Sequence, residues 1–443
     1  MSDYRYLQEQ DIPSFLAALR ALGNRVLVPT LQKGTKESVV FTPWQEGDPV
    51  LVAKATVPAK AAVLPSCETL VTYKKTKNPD NYAETSLTLT ETVEAEPTVV
   101  FASRPCDAKG IAILDNPYTK GIYKDPYYMA KREKLVVISL TCNSGCETCF
   151  CHWVGGGPSS PEGSDILMTE IPAEGTKAYV LQPITAKGKE MLAKSALKDG
   201  ESVVALMNEA RKAAFATLSP KPDLTEAPQK VAACFANLSF WAQETERCIS
   251  CGACTYFCPT CYCFTITDEG EPTSAQGGRR LRSWDTCMSS LFTREASGHN
   301  PRPSKAERMR NRVSHKFATY PENWGIFSCS GCGRCISQCP VGLDIRKIVL
   351  HAIAEAGGTV HPPKQEEAKP AKAAPVQAPK LEEVKPAKAA PAPKEDRAEA
   401  KAEGKQTPSA NDTEPARSPA PRRTAKKRGF IKTSLKKSGT RRR

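Results

Sequence analysis

Eight of the 18 cysteines in this chain form two copies of one pattern. Cys248-x-x-Cys251-x-x-Cys254-x-x-x-Cys258-Pro259 recurs as Cys329-x-x-Cys332-x-x-Cys335-x-x-x-Cys339-Pro340. In bacterial-type [4Fe–4S] sites, three thiolates at every third position wrap one side of the cubane. The fourth thiolate, just before a proline, binds the neighbouring cluster. The pattern therefore predicts a ferredoxin-type module that holds two [4Fe–4S] clusters.

This exchange of the last thiolate gives a specific ligand set for each cluster. Structural zinc prefers two separated Cys-x-x-Cys pairs, and neither zinc nor disulfides explain two identical runs of four cysteines. We expect the first cluster to be bound by Cys248, Cys251, Cys254 and Cys339, and the second by Cys329, Cys332, Cys335 and Cys258.

A second group of cysteines follows two predicted buried strands. The apolar run at 97–103 leads into Cys106, and the run at 134–140 leads into a loop with four more thiols: Cys142, Cys146, Cys149 and Cys151. Strand–helix–strand order implies parallel neighbours, so both loops should emerge at the sheet edge where α/β proteins build sites. Five thiols at one edge in a reducing compartment favour a third metal centre over ordinary loop cysteines. Spacing alone leaves open which four of them bind.

The remaining cysteines have other interpretations. Cys234 lies on an apolar stripe at 231–238 that is typical of a buried helix face, so we expect a core cysteine, and we expect the same of Cys67. Three more lie between the two runs: Cys261, Cys263 and Cys287. They either buffer the cluster environment or carry another centre with a fourth ligand that is not cysteine.

The elements that would position these residues divide into two domains and a tail. Residues 1–220 are predicted to be an α/β domain that begins with a helix capped at Asp11, and the Pro-rich stretch 219–228 ends it. Residues 229–357 are predicted to be an α-helical two-[4Fe–4S] ferredoxin-like domain, whose last helix is capped by Asp344. Residues 361–443 form an Ala/Pro/Lys-rich tail that cannot bury enough apolar surface to order itself, so we expect it to be disordered.

The net charge of +14 belongs mainly to this tail, because twelve Lys and Arg and no Asp or Glu follow residue 416. Such a basic end is a candidate for binding nucleic-acid phosphates or anionic lipid. Within the predicted domains, Arg279, Arg280, Arg282 and the stretch Arg302–Arg312 either stabilise reduced clusters, dock an acidic partner or form a solvated positive face.

Several signals are absent from the sequence. It has no secretory signal and no apolar run long enough to cross a bilayer, so we expect a cytoplasmic protein with reduced cysteines. It has no haem-attachment motif, no dinucleotide fingerprint and no phosphate-binding loop. We interpret His152 and His315 as polar surface or cluster-shell residues. The chain is therefore expected to conduct electrons without transforming a substrate.

A further set of motifs occurs in one order along the chain: Arg104-Pro105-Cys106-Asp107, Cys149-Phe150-Cys151, Cys258-Pro259-Thr260-Cys261-Tyr262-Cys263-Phe264, Trp284-Asp285-Thr286-Cys287 and Gly298-His299-Asn300-Pro301-Arg302. With these motifs the chain, from about residue 10 to 356, resembles the iron–sulfur beta subunit of cytosolic sulfhydrogenase-type NiFe hydrogenases and the corresponding iron–sulfur subunit of anaerobic sulfite reductases.

The resemblance implies an electron relay in a soluble anaerobic complex. It would link a flavin-containing, NAD(P)H- or ferredoxin-reactive subunit to a catalytic subunit of hydrogenase, sulfite reductase or heterodisulfide reductase type. The resemblance also implies that a third Fe–S cluster is bound by Cys106, Cys142, Cys149 and Cys151, with Cys146 as an extra thiol.

Two other functions compete with the relay. One is a catalytic oxidoreductase subunit whose substrate binds at the atypical site within 106–151. The other is a tethering or nucleic-acid-binding protein that acts through its basic tail.

Overall fold

Runs of β-branched and apolar residues build two β-sheets in the described part of the chain. The computed structural model describes residues 3–33, 37–50, 52–81, 83–173, 176–271 and 274–358. The predicted disordered tail at 361–443 lies outside the described residues. The described strands are β1 (Arg5–Gln8), β2 (Arg25–Gln32), β3 (Ser38–Pro43), β4 (Cys67–Lys77), β5 (Thr85–Glu91), β6 (Thr98–Ser103), β7 (Leu135–Leu140), β8 (Ile166–Ala173), β9 (Thr176–Pro183), β10 (Lys198–Asp199), β11 (Phe264–Glu271) and β12 (Ser274–Trp284).

Helices cover the sheets and carry the cysteine runs. The described helices are α1 (Ile12–Ala21), α2 (Pro105–Asp115), α3 (Pro126–Glu133), α4 (Ala186–Ala193), α5 (Val204–Ala216), α6 (Ala227–Ala233), α7 (Leu238–Glu244), α8 (Ala253–Tyr256), α9 (Lys305–Ser314), α10 (Tyr320–Trp324), α11 (Arg334–Ser337) and α12 (Ile345–Glu355). A π-helical turn, His315–Thr319, continues α9.

The larger sheet has the order β10-β1-β9-β8-β7-β6-β2-β3. Its centre is parallel, because β2, β6, β7 and β8 pair in parallel, while the outer pairs are antiparallel. Val99, Phe101 and Ala102 of β6 belong to the apolar core that contains residues of α1, and Val100 belongs to the core that contains residues of α2. The parallel pairing of β6 and β7 confirms that the loops after these strands open at one edge of the sheet.

The second sheet is antiparallel, with the order β11-β12-β4-β5. Its hairpin β11–β12 lies inside the segment that we predicted to be α-helical, so the description of that domain as α-helical is incomplete. Strand β12 pairs with β4, and Arg282 lies opposite Glu68. The chain thus has mixed α/β structure, and one sheet joins strands from both predicted domains. The boundaries 1–220 and 229–357 stay predictions.

Three local expectations were wrong. Asp11 makes no capping hydrogen bond, because a 3₁₀ turn precedes α1 and already places Asp11 in helical conformation. The apolar stripe at 231–238 is broken by a 3₁₀ turn, which leaves Phe235 41% and Leu238 44% exposed. Cys67 is exposed at the first position of β4 and does not lie in the core. Cys234 is buried as predicted, and the Asp344 carboxylate caps α12 by accepting from Arg346 N (2.9 Å).

Candidate metal centres

The two cysteine runs share one backbone conformation. Ser250 and Gly331, which hold the same position in their runs, have φ of 60° and 63°. Gly252 and Gly333 match in the same way, with φ of 76° and 74°. These left-handed turns curl each run into a tight coil. The curl points the backbone N–H of Ser250 at Cys248 Sγ and that of Gly331 at Cys329 Sγ, both at 3.4 Å.

The first run borders a cavity that we call cavity 1. Its cysteines come from the first run and from the end of the second: Cys248, Cys251, Cys254, Cys335 and Cys339. The empty volume is about 520 Å³, which includes its open side. Most of the other lining side chains are apolar, among them Met288, Met309 and Ile348.

The second run borders a smaller cavity, which we call cavity 2. Its cysteines are Cys258, Cys329, Cys332 and Cys335. The empty volume is about 290 Å³, again with open solvent included. Cys258, Cys329 and Cys332 are all buried. Phe150 forms part of the wall; it belongs to the thiol-bearing loop after β7, residues 141–151, which we call the sheet-edge loop.

This placement fits two [4Fe–4S] clusters with exchanged ligands. Cys258 of the first run lies on the wall of cavity 2, and Cys339 of the second run lies on the wall of cavity 1. The donors are thiols in compact, glycine-containing coils, as such clusters require. Among the described residues, no group of three or more His, Cys, Asp or Glu is placed to hold a single metal ion. The ligation itself stays a prediction.

Lys54 lies among three of the five sheet-edge thiols, those of Cys106, Cys142 and Cys146. Its Nζ is 3.5 Å from Cys146 Sγ and donates to the backbone oxygen of Cys332 (2.7 Å). Burial by itself lowers the pKa of Lys54, but negative charge on the Cys106, Cys332 and Cys146 thiols outweighs it and raises the pKa. Cys149 Sγ accepts from the backbone N–H of Cys146 (2.7 Å). The structure therefore brings this group against the second run, while the choice among the five as ligands stays open.

The contact between the sheet-edge loop and the second run is close. A Cβ added at Gly331 would lie 2.5 Å from the Cα of Cys151, and one at Gly333 would meet the backbone of Thr148. Phe150 N donates to Gly331 O (2.8 Å). Only glycine fits at these two positions, because backbone packs directly on backbone.

A buried ion pair fastens the same contact. Arg334 of the second run donates to the carboxylate of Asp107 at 2.5 and 2.8 Å, and its Nη2 also donates to Ala55 O (2.8 Å). Asp107 is 1% exposed. Because Asp107 follows Cys106 in the first turn of α2, this pair ties the start of α2 to the second run.

Two buried cations lie beside the cavities. Arg312 Nη1 donates to Cys261 Sγ (3.2 Å), and Nη2 donates to the backbone oxygen of Cys254 (2.6 Å). Lys316 Nζ donates to Thr260 Oγ1 and to the backbone oxygen of Ser328, both at 2.8 Å. Burial by itself lowers the pKa of Lys316, but negative charge on nearby thiolates outweighs it and raises the pKa.

Other thiols and imidazoles respond to the same surroundings. A hydrogen bond with the Cys149 thiol, aided by Lys54, lowers the pKa of Cys146 to about 5. Burial, with Lys316 and Arg312 nearby, lowers the pKa of His315 to about 4. His315 Nε2 lies 3.1 Å from the Tyr262 hydroxyl. The His152 imidazole has a different partner: its Nε2 lies 2.8 Å from the backbone oxygen of Ser219.

The three undecided cysteines lie near the end of the first run. The Cys258 and Cys261 thiols are hydrogen-bonded, and so are those of Cys263 and Cys287. The Cys287 loop packs on the first run, since the Thr286 and Thr255 hydroxyls are 2.6 Å apart. This placement agrees with a role in the cluster environment, and their ligation stays open.

The predicted basic residues have different partners. Arg279 and Arg280 form exposed ion pairs with Glu269 and Asp268 of the same hairpin. Arg282 is buried against Glu68 (2.5 Å).

Of the predicted basic set, only Arg312 lies on the described walls of the two cavities. Sequence reasoning missed Lys54, Lys316 and Arg334. The spacing of Lys316 four residues after Arg312 was a usable signal, since such residues share a helix face.

Residues 247–343 match the family model of the 4Fe-4S dicluster domain. Together with the two cysteine-lined cavities, this match defines an iron–sulfur protein with a dicluster domain. None of the helices in the described part of the chain has the length and hydropathy to span a bilayer.

Comparison with a known protein takes the identification further. The chain is 31% identical over 261 residues to sulfhydrogenase 2 subunit beta of Pyrococcus furiosus, and the match covers 57% of this chain and 72% of that protein. The chain belongs to this family of iron–sulfur beta subunits, which confirms the resemblance found in the motifs. It is thus an iron–sulfur electron-transfer subunit. No solved structure matches the chain.

Proposed function

We propose that this chain is the relay subunit of a cytoplasmic anaerobic redox complex. It passes single electrons between a flavin-containing subunit, reactive with NAD(P)H or ferredoxin, and a catalytic subunit of hydrogenase, sulfite reductase or heterodisulfide reductase type. The observation that carries this proposal is the adjacency of the two cavities, which have Cys335, Arg312 and Ile345 in both walls. Bound [4Fe–4S] clusters supply one-electron chemistry there.

The chain's own residues keep the two sites close and different in exposure. Cys248, Cys251, Cys254 and Cys339 would hold the first cluster at the open cavity 1. Cys329, Cys332, Cys335 and Cys258 would hold the second in the more buried cavity 2. In this ligand set, the fourth ligand of each cluster comes from the other run. Neither site can then form without both runs, and the distance between the two sites is fixed.

A third site extends the relay in one direction. The loop with Cys149 and Cys151 packs on Gly331 and Gly333, next to cavity 2. If Cys106, Cys142, Cys149 and Cys151 bind a third Fe–S cluster, the order of sites is cavity 1, cavity 2, sheet-edge thiols. Electrons then enter or leave at the exposed ends of this series, where Cys251 and Cys146 are exposed.

The test is anaerobic purification of the native complex, with iron, flavin, nickel and sirohaem quantified in each subunit. We expect about eight iron atoms per chain from two clusters, and about twelve with the third. The isolated chain should be reduced by a flavoprotein donor and reoxidised by an acceptor, without substrate turnover. Zinc in place of iron, or a chain that cannot be reduced, contradicts the relay. Turnover of a substrate by the isolated chain supports the catalytic alternative at 106–151.

A further inference from the structure

Three basic side chains occur at four-residue intervals along α9 and the π-helical turn after it. Arg308 Nη2 donates to Ser250 Oγ of the first run (3.2 Å). Arg312 lies on the walls of both cavities, and Lys316 lies on the wall of cavity 2. Residues four apart share one helix face. We call this series the basic ridge; it runs past the first cysteine run and on to the second.

Two members of the basic ridge are deeply buried. Arg312 is 3% and Lys316 is 2% exposed. Among the described residues, neither has a carboxylate within salt-bridge distance, whereas the buried Arg334 pairs with Asp107. A buried cation carries a large desolvation penalty unless an anion compensates it. Arg312 also donates to the Cys261 thiol, and the cavities beside Arg312 and Lys316 are lined by thiols, so the compensating charge is that of thiolates and of what the cavity thiols hold.

We propose that Arg312 and Lys316 set the reduction potentials of the clusters in the two cavities, Lys316 at cavity 2 alone and Arg312 at both. This inference rests on the proposed function and adds the residues that adjust the reduction potentials of the relay's clusters. Reduction adds one negative charge at a cavity, and a fixed cation in a low-dielectric interior favours that added charge. The potential of an iron–sulfur site depends on such nearby charge.

A purely structural role makes a different prediction. The donated hydrogen bonds to Cys254, Thr260 and Ser328 hold the loops around the cavities. Glutamine keeps a donor of this kind but removes the charge. If the residues only hold loops, the glutamine variants should retain the potentials of the unchanged chain.

The test uses the full chain, loaded with iron anaerobically and titrated by electron paramagnetic resonance at fixed potentials. Lys316→Gln should lower the midpoint potential of the cavity 2 centre and leave the other centre unchanged. Arg312→Gln should lower both midpoints, and Lys316→Arg should keep the original values. The matched control is Arg310→Gln on the same helix, where the guanidinium stacks on Phe235 at 4.2 Å. It should leave both midpoints unchanged.

Unshifted midpoints in Lys316→Gln and Arg312→Gln with full iron content overturn the inference and leave the proposed function intact. An unsubstituted chain that holds fewer than about eight iron atoms overturns the proposed function and the inference together. Should Lys316→Gln fail to take up iron at cavity 2, the Arg312→Gln midpoints decide, because iron uptake measures assembly and not potential. Lowered midpoints there support the inference, and unshifted midpoints overturn it.

Discussion

The two cysteine runs have the same spacing and the same turns but lie in different surroundings. The first run borders an apolar cavity with an open side, and its Cys251 is exposed. The second run is covered by the sheet-edge loop, and its Cys329 and Cys332 are buried. Lys316 adds a buried cation at cavity 2, whereas Arg312 is the cation on the described walls of cavity 1.

The comparison separates what a motif specifies from what its surroundings specify. Spacing and turns are local, so both runs present thiols in the same way. Exposure and charge come from remote segments, such as Lys54 and Asp107 beside the second run. Since charge and solvent exposure both shift the potential of an iron–sulfur site, one motif can give two different centres in the same chain.

The strongest test of the difference between the two runs removes a thiol that one run gives to the cluster of the other. Cys258→Ser should lose the cavity 2 centre, about four iron atoms per chain, because Cys258 lies on that cavity's wall. Its spectrum should match that of Cys332→Ser and differ from that of Cys251→Ser. Iron analysis and electron paramagnetic resonance measure both effects.

The control for this substitution is Cys67→Ser. Cys67 is an exposed thiol on β4 whose Sγ accepts from the Ser283 hydroxyl (3.3 Å). This variant should keep all its iron. A Cys258→Ser spectrum in which only the cavity 1 centre is altered refutes the exchanged ligands.

The second prediction concerns the ion pair that fastens the second run to the sheet. Asp107→Asn leaves the Arg334 guanidinium buried without its carboxylate, which should destabilise the protein by about 3–5 kcal/mol. The cavity 2 centre should be lost first on heating, because Arg334 belongs to the second run. Anaerobic thermal unfolding, followed at the signals of both centres, measures the difference.

The matched control is Asp268→Asn, which removes the carboxylate of the exposed pair with Arg280. Exposed pairs contribute little, so no measurable change is expected. Equal loss of both centres in Asp107→Asn would show that the pair stabilises the whole fold and not the second run in particular.

Much of the fold around the candidate sites could be predicted from local patterns in the sequence. The parallel pair β6–β7 was predictable from two continuous apolar runs separated by a helix, and the cap at Asp344 from its position before an apolar periodic stretch. The pairing of β12 with β4 was not, because it joins segments that are distant in the sequence and depends on which sheet edge is free. Lys316 was missed for a related reason. Spacing in the sequence shows which residues share a helix face, but the elements packed around the helix decide which face is buried.

The prediction with the smallest expected effect concerns why the second run has glycine at 331 where the first has serine. It separates lack of space for a side chain from backbone strain. Ser250 tolerates φ of 60° in the first run, so a serine at the matching Gly331 meets the same backbone conformation. Its Cβ, however, would lie 2.5 Å from the Cα of Cys151. Gly342→Ser is the control, since Gly342 has φ of 66° and nothing within 4 Å of an added Cβ.

Gly331→Ser should therefore lower stability by about 1–3 kcal/mol more than Gly342→Ser, as overpacking does. Anaerobic thermal unfolding of both variants measures the gap. Equal losses would mean that backbone strain alone requires glycine there, and that the sheet-edge loop does not press on the second run.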